Sequence, residues 1–221
     1  DIPSFYKYND YGEVISTSIN KYVYVIVKKQ DPLYFEKYRL NYSETEIVNQ
    51  VKKIKNPIIK ACIEYLKIKD SLYIGTIADV PSSTGLGSSS SFCVGLLNAL
   101  YAYKGIKISK KELAKQAFHI EVNILKKPIG KQDHYASALG GINYIKFKSN
   151  ENVIIKKLNK NKNNYRNLFK SISFYWSGKM RSADNVLQDQ NKNKMKNKNK
   201  VTIIRNMTKQ FNDLLLSNKL N

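Results

Sequence analysis

A segment rich in glycine and serine, residues 81–91, has the composition and the setting of an anion-binding loop. Its sequence is Pro-Ser-Ser-Thr-Gly-Leu-Gly-Ser-Ser-Ser-Ser, and it connects a strand-like run at residues 72–80 to an apolar, helix-like run at residues 92–104. Glycines let a backbone approach a phosphate closely, and the unpaired N–H groups of a first helical turn point at it, aided by the helix dipole. We therefore predict a phosphate site where the loop enters the helix.

The spacing of this loop differs from both common nucleotide-binding loops. The P-loop pattern requires a lysine directly after its last glycine, whereas serines follow Gly87. The pattern G-x-G-x-x-G fails as well, because Ser90 stands where the third glycine is expected. A nucleotide bound here would be held by backbone amides, serine hydroxyls and a metal, with the balancing cation supplied from elsewhere. The alternative is a serine-rich turn that caps a core helix.

Glu121 is a candidate functional carboxylate on a helix predicted at residues 110–125. The apolar stripe of that helix consists of Leu113, Ala117, Ile120 and Ile124. Glu121 lies beside this stripe, and a carboxylate next to a core face costs free energy unless a cation or strong donors meet it. The alternative is a side chain at the edge of the stripe that reaches water or pairs with a lysine.

The elements that must position these residues are strands interspersed with helices. Strands are predicted at residues 22–28, 72–80, 142–148, 153–158 and 171–176, the third and fourth of them as a hairpin. Helices are predicted at residues 44–68 with an interruption near Pro57, at 88–104, at 110–125 and around 191–200. Ser109 and Glu112 form a capping-box pattern at the start of the third helix. This mixture predicts an α+β fold.

Composition narrows the classes of protein. The chain has 221 residues, of which 42% are hydrophobic and 25% charged, as in ordinary globular proteins. No apolar run approaches the ~20 residues that span a bilayer, so we expect no membrane partner. Cys62 and Cys93 lie in apolar surroundings. They favour buried thiols in a reducing compartment, and we expect a cytoplasmic protein.

The formal net charge of +21 invites an interpretation as a nucleic-acid-binding protein. Lysine, however, is diluted with asparagine, isoleucine and tyrosine along the whole chain, and arginine is rare. Arginine is the better residue for contacting bases and phosphates in a bidentate manner. An enrichment in lysine and asparagine that is spread along the whole chain is more typical of the overall composition of a proteome than of a basic binding surface. The sequence therefore disfavours nucleic acid as the main partner.

Several separated segments resemble the GHMP kinases, the family of galactokinase and of homoserine, mevalonate and phosphomevalonate kinases. Residues 81–91 resemble the second motif of that family, P-x-x-x-G-L-G-S-S. Residues 1–6, 12–21 and 130–143 resemble one branch in particular, the D-glycero-D-manno-heptose 7-phosphate kinases; the last segment begins Gly-Lys-Gln-Asp-His-Tyr-Ala. By this resemblance we expect the chain to lack the extreme N-terminus and the C-terminal motif of the family.

The resemblance implies a fold and a domain organisation. The fold is the ribosomal-protein-S5-domain-2-like fold of the N-terminal GHMP kinase domain, which binds ATP and is expected at residues 1–165. Residues 166–221 are expected to be the truncated beginning of the C-terminal domain.

The resemblance also implies roles for individual residues. The ATP phosphates would be bound by Pro81, Ser83, Gly85, Leu86, Gly87, Ser88, Ser89 and Ser90. Ser89 and Glu121 would hold Mg²⁺, a hard cation that prefers oxygen ligands. Asp133 would be the catalytic aspartate that accepts or orients the proton of the attacking hydroxyl; the alternative is an Asx-turn residue after Gly130. His134 stands where the family more often has glutamine, and we expect it to be a hydrogen-bonding neighbour.

Two further residues are assigned to the substrate by the resemblance. Asp1 matches an aspartate that contacts substrate hydroxyls in related sugar kinases. Arg181 would bind the 7-phosphate of the substrate, because a guanidinium group matches phosphate geometry. The nearby aromatic residues Phe174, Tyr175 and Trp176 are expected to belong to the core rather than to a stacking surface.

The function that the resemblance implies is ATP-dependent phosphorylation of D-glycero-D-manno-heptose 7-phosphate at O1. The product would be the 1,7-bisphosphate, for GDP-heptose synthesis and a bacterial lipopolysaccharide or capsule. The partner would thus be a small-molecule sugar phosphate. Two alternatives stay open: another GHMP small-molecule kinase, such as one like galactokinase, and a non-catalytic basic RNA-binding domain of the same fold.

Overall fold

The computed structural model describes residues 1–8, 11–158, 168–175, 178, 187, 192 and 194–217. The chain divides into two compact units. The terminal unit consists of Asp1–Ile19 and Gly140–Asn221, and the central unit is Asn20–Leu139. The boundary that the sequence predicts near residue 165 lies outside the described residues, so this domain division stays a prediction.

Strands and helices are interspersed along the described chain. The strands are β1 (Tyr11–Thr17), β2 (Val23–Lys29), β3 (Tyr38–Asn41), β4 (Thr45–Val48), β5 (Leu72–Ala78), β6 (Ile142–Lys148) and β7 (Val153–Lys157). The helices are α1 (Pro3–Tyr6), α2 (Pro57–Tyr65), α3 (Ser88–Tyr103), α4 (Lys110–Phe118), α5 (Gln132–Leu139) and α6 (Lys194–Leu216). A 3-10 turn at Val51–Lys53 precedes α2, and a π-helical turn at His119–Ile124 continues α4. The predicted α+β class is confirmed.

The central unit contains a four-stranded sheet in the order β2-β5-β3-β4. β3 and β5 run parallel, while the other neighbouring strands are antiparallel. Helix α3 packs closely on β2 at Gly95, where an added Cβ would lie 3.3 Å from Cγ2 of Val25. The fully buried core side chains of this unit include Leu40, Ile59, Leu72, Ile74, Leu97 and Ile120. Both cysteines are buried and free, as the sequence predicts.

Side chains at two helix starts explain where α2 and α4 begin. Asn56 accepts hydrogen bonds from the N–H groups of Ile58 and Ile59, both at 3.1 Å, and Pro57 follows as the first helical residue. Ser109 accepts from the N–H group of Glu112 at 3.2 Å, which confirms the predicted cap of α4. These caps fix the first residues of α2 and α4.

The terminal unit contains the antiparallel sheet β1-β6-β7. The β6–β7 hairpin confirms the prediction for residues 142–158. Leu158, which follows β7, and Leu215, which is in α6, are buried together. Tyr6 stacks on Phe147 with ring centroids 6.0 Å apart. Helix α6 thus covers part of this sheet with apolar side chains.

Thr45–Val48 form strand β4 and residue 44 lies in the turn before it, so the helix predicted from residue 44 is wrong there. The apolar spacing of this segment fits a strand as well as a helix. The contacts of the buried Glu46 carboxylate favour the strand. It accepts hydrogen bonds from the N–H groups of Lys55 at 2.6 Å and Asn56 at 2.9 Å, and from the Tyr42 hydroxyl at 2.7 Å. These contacts are tertiary and leave no local pattern in the sequence.

The strand predicted at residues 171–176 is also wrong for the residues described. Ser171 is in a turn, and residues 172–175 have no regular secondary structure. Phe174 and Tyr175, expected in the core, are 72% and 90% exposed. Trp176 lies outside the described residues. The C-terminal helix is present, but it begins at Lys194 and extends to Leu216, beyond the predicted stretch. Within the described part of the chain, no helix is both long and apolar enough to cross a membrane.

Candidate active site

The glycine-rich loop ends at the N-terminus of α3 in the central unit. Gly87 is the residue before the helix and has a left-handed backbone with φ of 73°. The first intrahelical hydrogen bond runs from the N–H group of Ser91 to the carbonyl of Gly87 at 2.9 Å. The N–H groups of Ser88, Ser89 and Ser90 therefore belong to the unpaired first turn, and they point toward the helix entrance. A glycine-rich loop that ends at an unpaired first helical turn is the geometry from which the sequence predicts an anion site, and the site itself stays a prediction.

Glycine is required at residue 87 for two reasons. Its φ is unfavourable for other residues, and an added Cβ would lie 3.3 Å from Cγ of Asp133 and 3.4 Å from its Oδ2. Gly85 shares the positive φ, at 79°, but an added Cβ there would meet nothing within 4 Å. The backbone of the loop thus reaches the Asp133 carboxylate at Gly87.

Two side chains of the loop make hydrogen bonds to its first residue, Pro81. Thr84 donates to the Pro81 carbonyl at 3.2 Å, and Ser88 contacts the same oxygen at 3.5 Å. Leu86 is exposed at the tip, while the Ser90 side chain is buried beneath the helix start. Ser83 has a positive φ of 62°. The loop therefore presents backbone and small polar groups rather than a plug of side chains.

The π-helical turn at His119–Ile124 brings Glu121 into the interior. A wider turn rotates the residues that follow α4 relative to a continuous α-helix, and such turns are frequent at functional sites. Ile120 and Glu121 are fully buried, whereas Ile124 is 42% exposed. The apolar stripe predicted through Ile124 is therefore wrong at its last residue, because the regular helical spacing ends at Phe118.

Three donors converge on the Glu121 carboxylate. Ser89 donates through its hydroxyl at 2.6 Å, and Lys127 donates through its ammonium at 2.7 Å, both to Oε1. His134 Nε2 lies 2.8 Å from Oε2. Burial acts to raise the pKa of Glu121, but the interactions with His134 and Lys127 outweigh it and lower the pKa to about 2. The carboxylate is therefore ionised at neutral pH despite its burial.

Helix α5 supplies Asp133 and His134 to the same neighbourhood. The hydroxyls of Ser91 on α3 and Ser137 on α5 are 2.8 Å apart, which fixes the two helices against each other. His134 is fully buried and makes an edge contact with Phe118 at 5.8 Å between ring centroids. His134 is thus the hydrogen-bonding neighbour that the sequence predicts, and its partner is Glu121.

The donor set at the start of α3 suits a hard divalent cation. An ionised carboxylate and a serine hydroxyl are oxygen ligands of the kind that Mg²⁺ prefers, and Mg²⁺ usually takes only one or two protein groups. Ser89 and Glu121 provide this pair. Among the described residues, no group of three or more His, Cys, Asp or Glu side chains gathers as a metal cluster. A cation here would complete its shell with water and ligand oxygens.

The structure brings most of the predicted site residues together. Ser89, Glu121 and the loop share one neighbourhood, and Asp133 lies against Gly87. Asp1 belongs to the terminal unit and Arg181 lies outside the described residues, so their assignment to the substrate stays a prediction. Sequence reasoning missed Lys127, whose ammonium also donates to the Ser89 hydroxyl at 2.8 Å. The only available signal was its short distance along the chain from Glu121.

Comparison with known proteins defines the class of this domain. Residues 49–141 match the family model of the GHMP kinases N terminal domain, a range that includes the loop, Glu121 and Asp133. The segment that contains the candidate site therefore matches the GHMP kinase N-terminal domain.

Two curated proteins and one solved structure are similar to parts of this chain. Over 159 residues the chain is 31% identical to D-glycero-alpha-D-manno-heptose 7-phosphate kinase of Campylobacter jejuni, covering 66% of this chain and 46% of that protein. It is 29% identical to mevalonate kinase of Saccharolobus solfataricus, covering 48% and 33% of the two proteins. A crystal structure of a D-glycero-D-manno-heptose 1-phosphate kinase from Bacteroides thetaiotaomicron superposes with a TM-score of 0.60 at 26% identity, covering 66% of this chain and 51% of that one. The chain thus spans less than half the length of these curated relatives.

Proposed function

We propose that this chain carries the nucleotide-binding and catalytic part of an ATP-dependent sugar-phosphate kinase. The observation that carries the proposal is the convergence of Ser89, Glu121 and Asp133 at the N-terminus of α3. Phosphoryl transfer depends mainly on positioning and on electrostatic stabilisation of the phosphates. A helix entrance beside an ionised, buried carboxylate supplies both, and the match to the GHMP kinase N-terminal domain supports the same chemistry.

Each residue has a task in this proposal. The N–H groups of residues 88–90 and the loop backbone bind the phosphates of ATP. Ser89 and Glu121 hold Mg²⁺, which supplies charge neutralisation when it is bound. Asp133 accepts or orients the proton of the substrate hydroxyl, so that the oxygen attacks the terminal phosphate in line. His134 fixes the orientation of the Glu121 carboxylate through its hydrogen bond to Oε2.

The substrate class that we propose is a heptose phosphate, with D-glycero-D-manno-heptose 7-phosphate as the specific candidate. Phosphorylation at O1 would give the 1,7-bisphosphate. The proposal is supported by the heptose phosphate named for one curated relative and for one solved structure. Another small-molecule GHMP kinase is the second candidate, because a mevalonate kinase is also similar over part of the chain.

The test is ATP turnover by the full-length protein with a panel of acceptors. The panel contains the heptose 7-phosphate, hexose phosphates, galactose, mevalonate and homoserine. We expect turnover with the heptose phosphate and a loss of about 10²- to 10⁴-fold in Asp133→Ala, the usual size of a general-base contribution. Glu44→Gln, which removes an exposed carboxylate charge in the β3–β4 turn, is the control and should keep wild-type turnover.

Two results would contradict the proposal. Turnover that is unchanged in Asp133→Ala would remove the assigned mechanism. Turnover of mevalonate or homoserine without any sugar phosphate would keep the kinase class and reject the proposed substrate.

A further inference from the structure

Lys127 forms a closed triangle with the two oxygens that the proposed function assigns to Mg²⁺. Its ammonium lies 2.7 Å from Glu121 Oε1 and 2.8 Å from Ser89 Oγ, and those two oxygens are 2.6 Å apart. The Lys127 side chain is 22% exposed, whereas the Glu121 side chain is fully buried. The Lys127 side chain is therefore accessible to solvent, whereas the carboxylate that it contacts is not.

An ammonium and a divalent cation cannot share these oxygens at low cost. Mg²⁺ binds oxygen at about 2.1 Å, so on the Lys127 side of the oxygen pair it would lie within ~1 Å of the ammonium nitrogen. On the opposite side it would still lie only ~4 Å away. Like charges at such a distance repel strongly in a partly buried site. Binding of the cation therefore requires the ammonium to leave.

The helix entrance offers a destination for the displaced ammonium. Ser89 is in the first turn of α3, so the anion site formed by the N–H groups of residues 88–90 adjoins the Ser89 hydroxyl that Lys127 already contacts. The loop has no lysine after Gly87, and its phosphate site needs a balancing cation from elsewhere in the chain. A lysine on a flexible stem can move from a carboxylate to a nearby phosphate.

We infer that Lys127 is an exchangeable cation of this site. Its ammonium neutralises the Glu121 carboxylate and donates to the Ser89 hydroxyl until a divalent cation displaces it, and it then pairs with the nucleotide phosphates. Lys127 therefore opposes binding of the metal alone and favours binding of the metal together with nucleotide. The inference rests on the proposed function for the nucleotide half, whereas competition between Lys127 and a cation follows from the triangle itself.

The test uses two ligands for which the inference predicts effects of opposite sign. Mn²⁺ alone, followed by electron paramagnetic resonance, should bind Lys127→Met about tenfold more tightly than wild type, since one charged hydrogen-bonded competitor is removed. Mg²⁺ with the non-hydrolysable ATP analogue AMP-PNP, followed by calorimetry, should bind Lys127→Met about tenfold more weakly. A merely structural lysine would weaken both.

Controls separate the inference from misfolding and from the proposed function. Lys126→Met removes the same charge from an exposed neighbour and should leave both affinities unchanged. Lys127→Gln keeps a neutral donor for Glu121 and should repeat both effects if Lys127→Met proves unstable. Mn²⁺ affinity that is unchanged or lower in both Lys127 variants overturns the inference. If the wild-type protein fails to bind AMP-PNP, the proposed function is wrong. The Mn²⁺ affinities of wild type and the Lys127 variants still decide whether the ammonium competes with a divalent cation.

Discussion

Glu121 combines complete burial with ionisation, and three donors from different parts of the central unit make this possible. Ser89 comes from α3, Lys127 from the segment after the π-helical turn, and His134 from α5. A buried carboxylate without such partners would be protonated or would destabilise the fold. The convergence of donors on one side chain is therefore the clearest indication of a functional site at the level of residues.

Two glycines of the loop offer a matched pair of substitutions. Both Gly85 and Gly87 have positive φ, so alanine costs each a similar backbone strain of ~1–2 kcal/mol. Only at Gly87 would the new Cβ press on Asp133, at 3.3 Å from Cγ. We expect Gly87→Ala to reduce turnover by at least about tenfold more than Gly85→Ala, in steady-state assays with saturating ATP. Equal losses in the two variants would show that the contact with Asp133 is unimportant.

At the level of elements, Glu46 shows how a strand is selected by tertiary contacts. Its carboxylate binds the backbone N–H groups that precede α2 and so connects β4 to the start of that helix. Burial acts to raise the pKa of Glu46, but the hydrogen bonds from Lys55, Tyr42 and Asn56 outweigh it and lower the pKa below its ordinary value of 4.5. The ionised form thus stabilises the folded state.

The sign of this linkage gives a pH-dependent prediction. Because the folded-state pKa of Glu46 is depressed, its contribution is complete above about pH 4.5 and is lost as the pH falls through the folded-state value. We expect Glu46→Gln to lower the free energy of unfolding at pH 7, by about 1–3 kcal/mol for weakened charged hydrogen bonds. In urea denaturation the difference from wild type should shrink below pH 4.5. A difference that stays constant down to pH 3 would contradict the assignment.

The elements that the sequence predicts well are those whose signals are local. Helix α3 follows a glycine-rich loop, α4 begins at a serine cap, and the β6–β7 hairpin has clear strand patterns on both sides of its turn. β4 was missed because the partners of Glu46 lie nine and ten residues further along the chain. The π-helical turn was missed because one wider turn leaves almost no trace in apolar spacing.

The same distinction applies to the candidate site. The loop and Glu121 carry recognisable patterns, and the resemblance to GHMP kinases pointed to Ser89 and Asp133. Lys127 could not be selected, since the chain contains 38 lysine and arginine residues. Only the three-dimensional structure separates this lysine from the others, by placing its ammonium between a carboxylate and a serine hydroxyl.

At the scale of the whole molecule, the net charge of +21 gives a prediction that separates the proposed kinase function from the RNA-binding alternative. Diffuse lysines bind nucleic acid through release of counterions, so we expect any RNA affinity to collapse between about 50 and 200 mM salt and to be independent of RNA sequence. Filter binding with a folded RNA and its scrambled version measures this. Sequence-selective RNA binding that survives 200 mM salt would favour the non-catalytic alternative.

The central claim is that the loop before α3 binds the phosphates of a nucleotide beside Glu121 and Asp133. Hydrogen–deuterium exchange of the full-length protein with and without Mg²⁺ and AMP-PNP tests it most directly, because bound phosphates accept hydrogen bonds from the amides concerned. The account predicts that protection appears at residues 85–90 and at the segment that carries Glu121, and that the β3–β4 hairpin is unchanged. Nucleotide binding that protects other segments and leaves residues 85–90 exchanging at the free rate would contradict it.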